Sequence, residues 1–296
     1  MPAASRTCTL HAPLLDWYDE HARELPWRAP DASPWAVLVS EVMLQQTPVA
    51  RVEPVWREWL DRWPTPAALS AAAPGDAVRA WGRLGYPRRA LRLREAAVAI
   101  VDRHGGEVPT DEADLLALPG IGTYTAAAVT SFAFGRRATV LDTNVRRVLA
   151  RVVGGAAFAA PSLTRAEADR ATSLLPADAA TAGRWNVAVM ELGALVCSAR
   201  APRCGDCPVA DRCAWRLAGH PAYEGPPRRG QKWHGTDRQV RGALLAVLRE
   251  APDTVSGDDL AAAWPDDAQQ RARCLDGLVA DGLVEPLAEN RFRLPA

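Results

Sequence analysis

Apolar residues return every three or four positions through most of residues 10–218, and that period predicts helices. Leu14, Leu15, Tyr18 and Leu25 share one side of a helix over 10–25, which Pro26 stops. Ser33-Pro34 opens the next helix, and Trp35, Leu38, Val39, Val42 and Met43 form its apolar face. Glu41 sits inside that run, either as a solvent-side helical residue or as an acid held in apolar surroundings. Gln45-Gln46-Thr47 precedes Pro48, which forces Thr47 out of helical geometry into a turn. Pro48 to Trp63 follows as a helix with Val52, Val55, Trp56 and Trp59 inward, and further helices are predicted at 66–72, 75–84 and 87–104. Gly82-Arg83-Leu84-Gly85-Tyr86 ends one of them at a glycine, which puts Tyr86 either on a loop or in the core. Helices at 143–153, 164–175 and 184–196 complete an all-α region, with no strand expected before residue 280. Residues 219–237 read as a linker, and 238–296 as three helices and two strands, 282–284 and 291–294, that pair as a wing.

Charge and composition narrow the class only slightly. A chain of 296 residues is long enough for two domains or three small modules, and its 35 basic and 35 acidic residues cancel. Neutrality neither supports nor excludes a nucleic-acid partner, which needs only local positive charge. Almost all the cations are arginine, and Lys232 is the one lysine. No apolar run reaches the roughly 20 residues of a membrane helix, and residues 1–17 lack a secretory core, so a cytoplasmic, nucleoid-associated location is expected with no membrane partner.

The chemistry concentrates in two places. Around Leu118-Pro119-Gly120-Ile121-Gly122, two glycines two apart permit a helical hairpin too tight for a β-carbon. The helix that leaves it at Thr123 begins with unpaired N–H groups, a site for a phosphate. The plainer alternative is a helix–turn–helix corner, followed by Asp142 as an ordinary N-cap. The second place is Cys197-x6-Cys204-x2-Cys207-x5-Cys213, four thiolates in 17 residues, which points to metal rather than disulfides. Zinc and an iron–sulfur cluster both accept four cysteines; only one close pair is unlike a zinc ribbon with two knuckles. Cys8 and Cys274 are expected to be ordinary thiols.

These residues resemble the helix-hairpin-helix DNA glycosylases. The match includes the Leu118–Gly122 hairpin, Leu141-Asp142-Thr143-Asn144-Val145 and a cysteine spacing like the four-iron, four-sulfur loop of endonuclease III and MutY enzymes. Ser40 to Thr47, SEVMLQQT, and Tyr124 in place of the Schiff-base lysine of endonuclease III enzymes match the MutY, or adenine DNA glycosylase, branch. The resemblance spans about residues 10–218. It implies a two-lobed all-α core: a six-helix domain at 27–135 and a cluster domain from 1–26 and 136–218, followed by a winged-helix-like α+β module at 238–296.

It also implies the roles. Glu41 would be the protonated acid, Asp142 the carboxylate facing a cationic sugar, and Tyr124 and Asn144 their supports; Trp27 and Arg28 would line the base pocket. Gln45, Gln46, Thr47 and Tyr86 would enter the duplex, while Leu118, Gly120 and Gly122 grip the backbone. The residue types suit the chemistry: a carboxyl among Val, Leu and Met stays protonated, and one at a helix start is favoured as the anion. The implied partner is double-stranded DNA with A:8-oxoguanine or A:G mispairs, bound by a monomer. A lysine-dependent lyase is not expected, because Lys232 lies in the linker.

The 83 residues after Cys213 do not resemble the Nudix-like 8-oxoguanine reader of longer relatives, and their arginines, Arg238, Arg241, Arg271 and Arg273, are expected to add non-specific affinity. Arg200, Arg203, Arg212 and Arg216 flank the cysteines, facing either DNA or the thiolates. Two alternatives stay open, a thymine glycosylase acting on T:G and a non-catalytic iron–sulfur DNA-binding protein. The presence of both Glu41 and Asp142 speaks against the latter.

Overall fold

A computed structural model of the chain describes residues 3–223, 225 and 233–296, with side chains from Leu10 onward. Lys232 and the middle of the expected linker lie outside the described residues. Among those described, everything before Val255 is helix, turn or loop, and no helix is long and apolar enough to cross a membrane. The residues divide into two compact units: 1–37, 110–112 and 122–227, and 38–109, 113–121 and 228–296.

The first unit is built on helices Ala3–His21, Thr143–Val152, Arg165–Leu174 and Ala179–Leu195. Leu14, Trp17, Val148, Leu149, Leu174, Trp185, Val189 and Leu192 close one core that also takes in Cys197 and Cys213. Capping sets the helix starts. Thr164 and Glu167 form a reciprocal capping box. Asp178 accepts from Thr181 N at 2.8 Å and begins the last helix five residues ahead of the predicted 184, a signal the apolar period alone does not carry. Beneath these helices the carboxylate of Glu191, wholly buried, takes Arg23 Nε at 2.6 Å and Arg28 Nη2 at 3.0 Å. Burial alone would push its pKa up; the two guanidiniums and the Arg23 N–H outweigh that and hold it below the usual glutamate range.

The second unit packs Val49–Arg62, Pro66–Ser70, Pro74–Ala80 and Arg88–His104 around Trp59, Trp81, Leu69, Leu93 and Ile100, with Trp59 edge-on to both Trp63 and Trp81. The C-terminal module belongs to this unit. Its order is helix Asp237–Glu250, strand β1 Val255–Ser256, helices Gly257–Ala263 and Ala268–Ala280, then strands β2 Glu285–Leu287 and β3 Arg291–Arg293. The antiparallel sheet runs β1-β3-β2. β1 contradicts the expectation of no strand before 280: two residues carry no readable alternation, and only pairing with Phe292 and Arg291 makes them a strand. The first wing strand falls at 285–287 rather than 282–284, because Leu283 and Val284 are buried in the module's core instead.

The module is locked to the helices before it. Val78 is part of its core. Arg79 Nη1 caps the carbonyls of Arg249 and Ala251 at 2.6 and 2.7 Å, and Arg249 Nε returns a bond to Val78 O at 3.0 Å. Burial lowers the Arg249 pKa to about 10. At Gly75 the N–H donates to Pro295 O at 2.7 Å, and a β-carbon there would meet that oxygen at 2.5 Å. The four arginines expected to add affinity all have partners within the module or beside it. Arg238 is bonded to Tyr86, Arg241 to Asp281, Arg271 to Trp264 O and Arg273 to Asp237.

Candidate active site

Asp142 ends an extended segment and N-caps helix Thr143–Val152. One carboxylate oxygen accepts from Val145 N at 2.6 Å; the other accepts from Asn144 Nδ2 at 2.7 Å. The amide oxygen of Asn144 takes Arg147 Nη2 at 2.7 Å, Arg147 Nη2 also reaches Gly193 O at 2.7 Å, and Arg147 Nε donates to Cys197 O at 2.8 Å. A continuous chain of hydrogen bonds thus runs from Asp142 through Asn144 and Arg147 to the first cysteine. Gly193 lets it close: a β-carbon there would stand 2.7 Å from Asn144 Cβ.

Burial pushes the Asp142 pKa up. Val145 N–H, the Asn144 amides and the Arg147 charge pull it the other way without cancelling the shift. The helix start therefore favours the anion as expected, but desolvation prevails. On the preceding helix, Thr123–Phe132, Tyr124 is half-buried against Ala127 and Ala128 and against Ala138 and Val140 of the extended segment.

Ahead of that helix, Gly120 has φ +77° and its missing β-carbon would meet Arg92 Cβ at 2.8 Å, so glycine is required twice over. Gly122 is extended, and no side chain caps the N–H groups that follow it. Leu118 and Ile121 are buried, so the hairpin offers a ligand its backbone and not the Leu118 side chain.

In the second unit, Glu41 is 5% exposed on helix Pro34–Met43, among Leu38, Val42 and Met43. It is not the solvent-side residue that the plain amphipathic reading offered. The turns 45–47 and 82–86 are fastened together by Arg89. Its Nη1 reaches the carbonyls of Val42, Met43 and Gln45 at 2.6–3.0 Å, and its Nη2 reaches Thr47 Oγ1 and Gly85 O, both at 3.0 Å. Burial lowers the Arg89 pKa to about 10. Thr47 is buried, with its hydroxyl 3.1 Å from Leu84 O, so it is a fastening and not a group that reaches outward. Gln46 (φ 56°) and Tyr86 (φ 47°) hold left-handed backbones, and Tyr86 is 40% exposed. In the first unit Trp27 is buried on the turn Pro26–Arg28. Arg28 is tied to Glu191 through Nη2, while its buried Nη1 meets no acceptor among the described residues.

The four cysteines line one pocket with Val152, Val196, Arg151 and Trp215. They are unbridged. Burial first, then the charges of its neighbours, push the Cys207 thiol up to about 11, against the Val209 N–H. Metal ligation takes cysteines as thiolates, so binding there releases protons. Four thiolates gathered on one pocket are the donor set that an iron–sulfur cluster takes. Arg151, 2% exposed, lies against the cage: Nη1 is 3.4 Å from Cys197 Sγ and the guanidinium sits 4.8 Å over the Trp215 ring. Of the flanking arginines, Arg203 and Arg216 bond to Leu195 O and Ala210 O, and Arg212 pairs with Asp211. The buried cation at the cage comes from elsewhere in the chain.

Residues 39–173 match the model of the HhH-GPD superfamily base excision DNA repair proteins, and residues 197–213 that of the iron-sulfur binding domain of endonuclease III. A protein of Mycobacterium tuberculosis (strain CDC 1551 / Oshkosh) named adenine DNA glycosylase is 56% identical over 283 residues, covering 95% of this chain and 92% of that protein. One of the same name from Mycolicibacterium smegmatis is 55% identical, covering 95% and 94%. The chain belongs to the adenine DNA glycosylase family. A solved structure of a thermostable thymine-DNA glycosylase aligns over 73% of this chain and 98% of its own length, with TM-score 0.65 and 25% identity. As in this family, the loop 197–213 binds a four-iron, four-sulfur cluster. Sequence reading missed Arg147, Arg151 and Glu191, and it offered Arg89 only as part of a solvated or phosphate-touching face, not as the fastening of two turns. For Arg147 a signal existed, since it stands three residues past Asn144 on the same helix face; the partners of the other three are distant in sequence.

Proposed function

We propose that this member of the family hydrolyses the glycosidic bond of adenine mispaired with 8-oxoguanine or guanine in double-stranded DNA, as a monomer, and leaves the abasic strand uncut. The observation that carries this reading is the anchored carboxylate: Asp142 is fixed by Val145 and Asn144 and is costly to ionise where it stands. A cation developing on the sugar relieves that cost, so the attraction is stronger in the transition state than in the ground state.

Glu41, carried as the neutral acid, gives its proton to a ring nitrogen of the flipped adenine. The C–N bond then breaks with the electron pair going to the base. Water adds to the sugar cation opposite Asp142, and the released proton returns to solvent. Tyr124 and Asn144 hold the sugar-facing side, and Trp27 and Arg28 contribute to the base pocket. The backbone at Gly120 and Gly122 takes a phosphate, and Gln45, Gln46 and Tyr86 enter the stack, with Thr47 fixing their turn. Cys197, Cys204, Cys207 and Cys213 hold the cluster, which supplies a structural tie for the loop.

Single-turnover assays on A:8-oxoguanine, A:G, T:G and A:C duplexes, with and without alkali, test the proposal. Adenine should be released from the first two, the strand should stay intact until alkali is added, and borohydride should trap little covalent complex. Preferential release of thymine from T:G, or efficient trapping that survives Lys232→Ala, would overturn it.

A further inference from the structure

The exposed tyrosine of the 82–86 turn is held by the C-terminal module. Arg238 Nη2 donates to the Tyr86 hydroxyl at 2.8 Å, and its guanidinium carbon lies 5.0 Å from the centre of the ring. From the other side of the sequence, Arg89 lies 5.5 Å from the same centre while its own head is locked by five oxygens. A second tie stands two residues on. Arg88 pairs with Asp281 at 3.2 Å, and Asp281 also takes Arg241, one turn along the helix from Arg238. The module core reaches this unit again through Val78, next to the Arg79–Arg249 exchange. One tie reaches the last residue of the turn and the other the first residue of the helix that follows it, and both are made by the C-terminal module. Tyr86 itself keeps a left-handed backbone that side chains disfavour, and its ring is 40% exposed.

We propose that Arg238 is a positioning residue for lesion reading: it holds Tyr86 as a rigid wedge, so the C-terminal module acts on the opposite base through that tyrosine. This rests on the reading that Tyr86 enters the duplex. The module then has a role that a merely adhesive cationic patch would not have. A guanidinium that donates to the phenol and faces its ring limits both the tilt and the height of the side chain, the two variables that stacking between bases depends on.

The test places 2-aminopurine beside the base opposite adenine and follows its fluorescence on binding, in the Asp142→Asn background so that no turnover intervenes. Excision is measured in parallel in the otherwise native full-length protein. Arg238→Ala should lower the inserted fraction and the single-turnover rate on A:8-oxoguanine by about five- to tenfold, the scale of one charged hydrogen bond with a cation–π contact. In the Tyr86→Phe background, which keeps the ring and loses the hydroxyl, Arg238→Ala should cost at most about twofold, because part of the interaction is already gone.

Arg238 is exposed, so its loss should leave the melting temperature nearly unchanged. Equal losses in the two backgrounds, cured by Arg238→Lys and accompanied by a salt slope lower by about one, would make Arg238 a phosphate contact and overturn the proposal. Wild-type fluorescence for Arg238→Ala, with Tyr86→Ala abolishing the signal, would overturn the role of Arg238 alone. If Tyr86→Ala itself leaves fluorescence and excision intact, the wedge reading falls as well.

Discussion

The surroundings of Asp142 and the two turns that carry Gln46 and Tyr86 are built on opposite plans. Asp142 is recessed, and the groups that hold it are themselves held: Val145 and Asn144 on the carboxylate, Arg147 on Asn144, the backbone at Gly193 and Cys197 on Arg147. Gln46 and Tyr86 are exposed residues on left-handed backbones, and their order comes from arginines that belong to other segments, Arg89 and Arg238. The first plan suits a group whose field must not reorganise during a reaction, since fixed dipoles act at full strength in a desolvated site. The second suits a group that must leave water and enter a base stack, where shape and stiffness matter more than charge. The difference predicts that damage to the first region is read in the chemical step and damage to the second in binding and discrimination.

The largest effect expected is at the carboxylates. Asp142→Asn and Glu41→Gln should each cut single-turnover excision by about 10²–10⁴-fold while mismatch affinity changes little. A near-native rate in rapid-quench assays of either variant would erase the distinction between the two regions.

Next comes the chain behind Asp142. Arg147→Ala removes the bonds to Asn144, Gly193 O and Cys197 O together, and should lower the rate by about 10–100-fold, as loss of orienting partners does at other sites. Iron per chain, measured alongside, tells whether the cysteine loop loosens as well. In the hairpin, Gly120→Ala forces a side chain into a left-handed position against Arg92, a cost of about 1–2 kcal/mol before any clash. It should appear as weaker binding to every duplex in titrations, with the rate on saturated complex preserved.

The smallest effect is in pH. Burial raises the Asp142 pKa, so on acidification its carboxylate is lost earlier than an ordinary aspartate, which titrates near pH ~3.9. The acid limb of the excision profile should lie above that value. Asn144→Ala removes a lowering hydrogen bond and should move the limb higher still. The stability sign agrees: the native state binds this proton more tightly than the unfolded chain, so stability contributed by Asp142 declines as pH rises through the same window. Glu191 has the opposite sign. Its ion pairs stabilise above the ordinary glutamate range, and that contribution is lost as pH falls through its depressed pKa.

Much of this protein was determined by sequence order alone. Helical period and Pro/Gly punctuation locate nearly every helix, because both act over one or two turns. The Asp142 cap bonds to a residue three places on, and the cysteines lie within 17 residues, so they too are local. What the tertiary structure decided depends on partners far apart in the chain, about which a single sequence carries no pairing information. Glu191 meets Arg23, Arg151 meets Cys197, and Arg238 meets Tyr86 across 168, 46 and 152 positions. Thr47 turns inward because Leu84 O is there to receive it, and β1 exists because β3 pairs with it. The Asp142 pKa was settled the same way: its stabilising N–H groups are local and legible, whereas the desolvation that outweighs them is set by everything that folds over it.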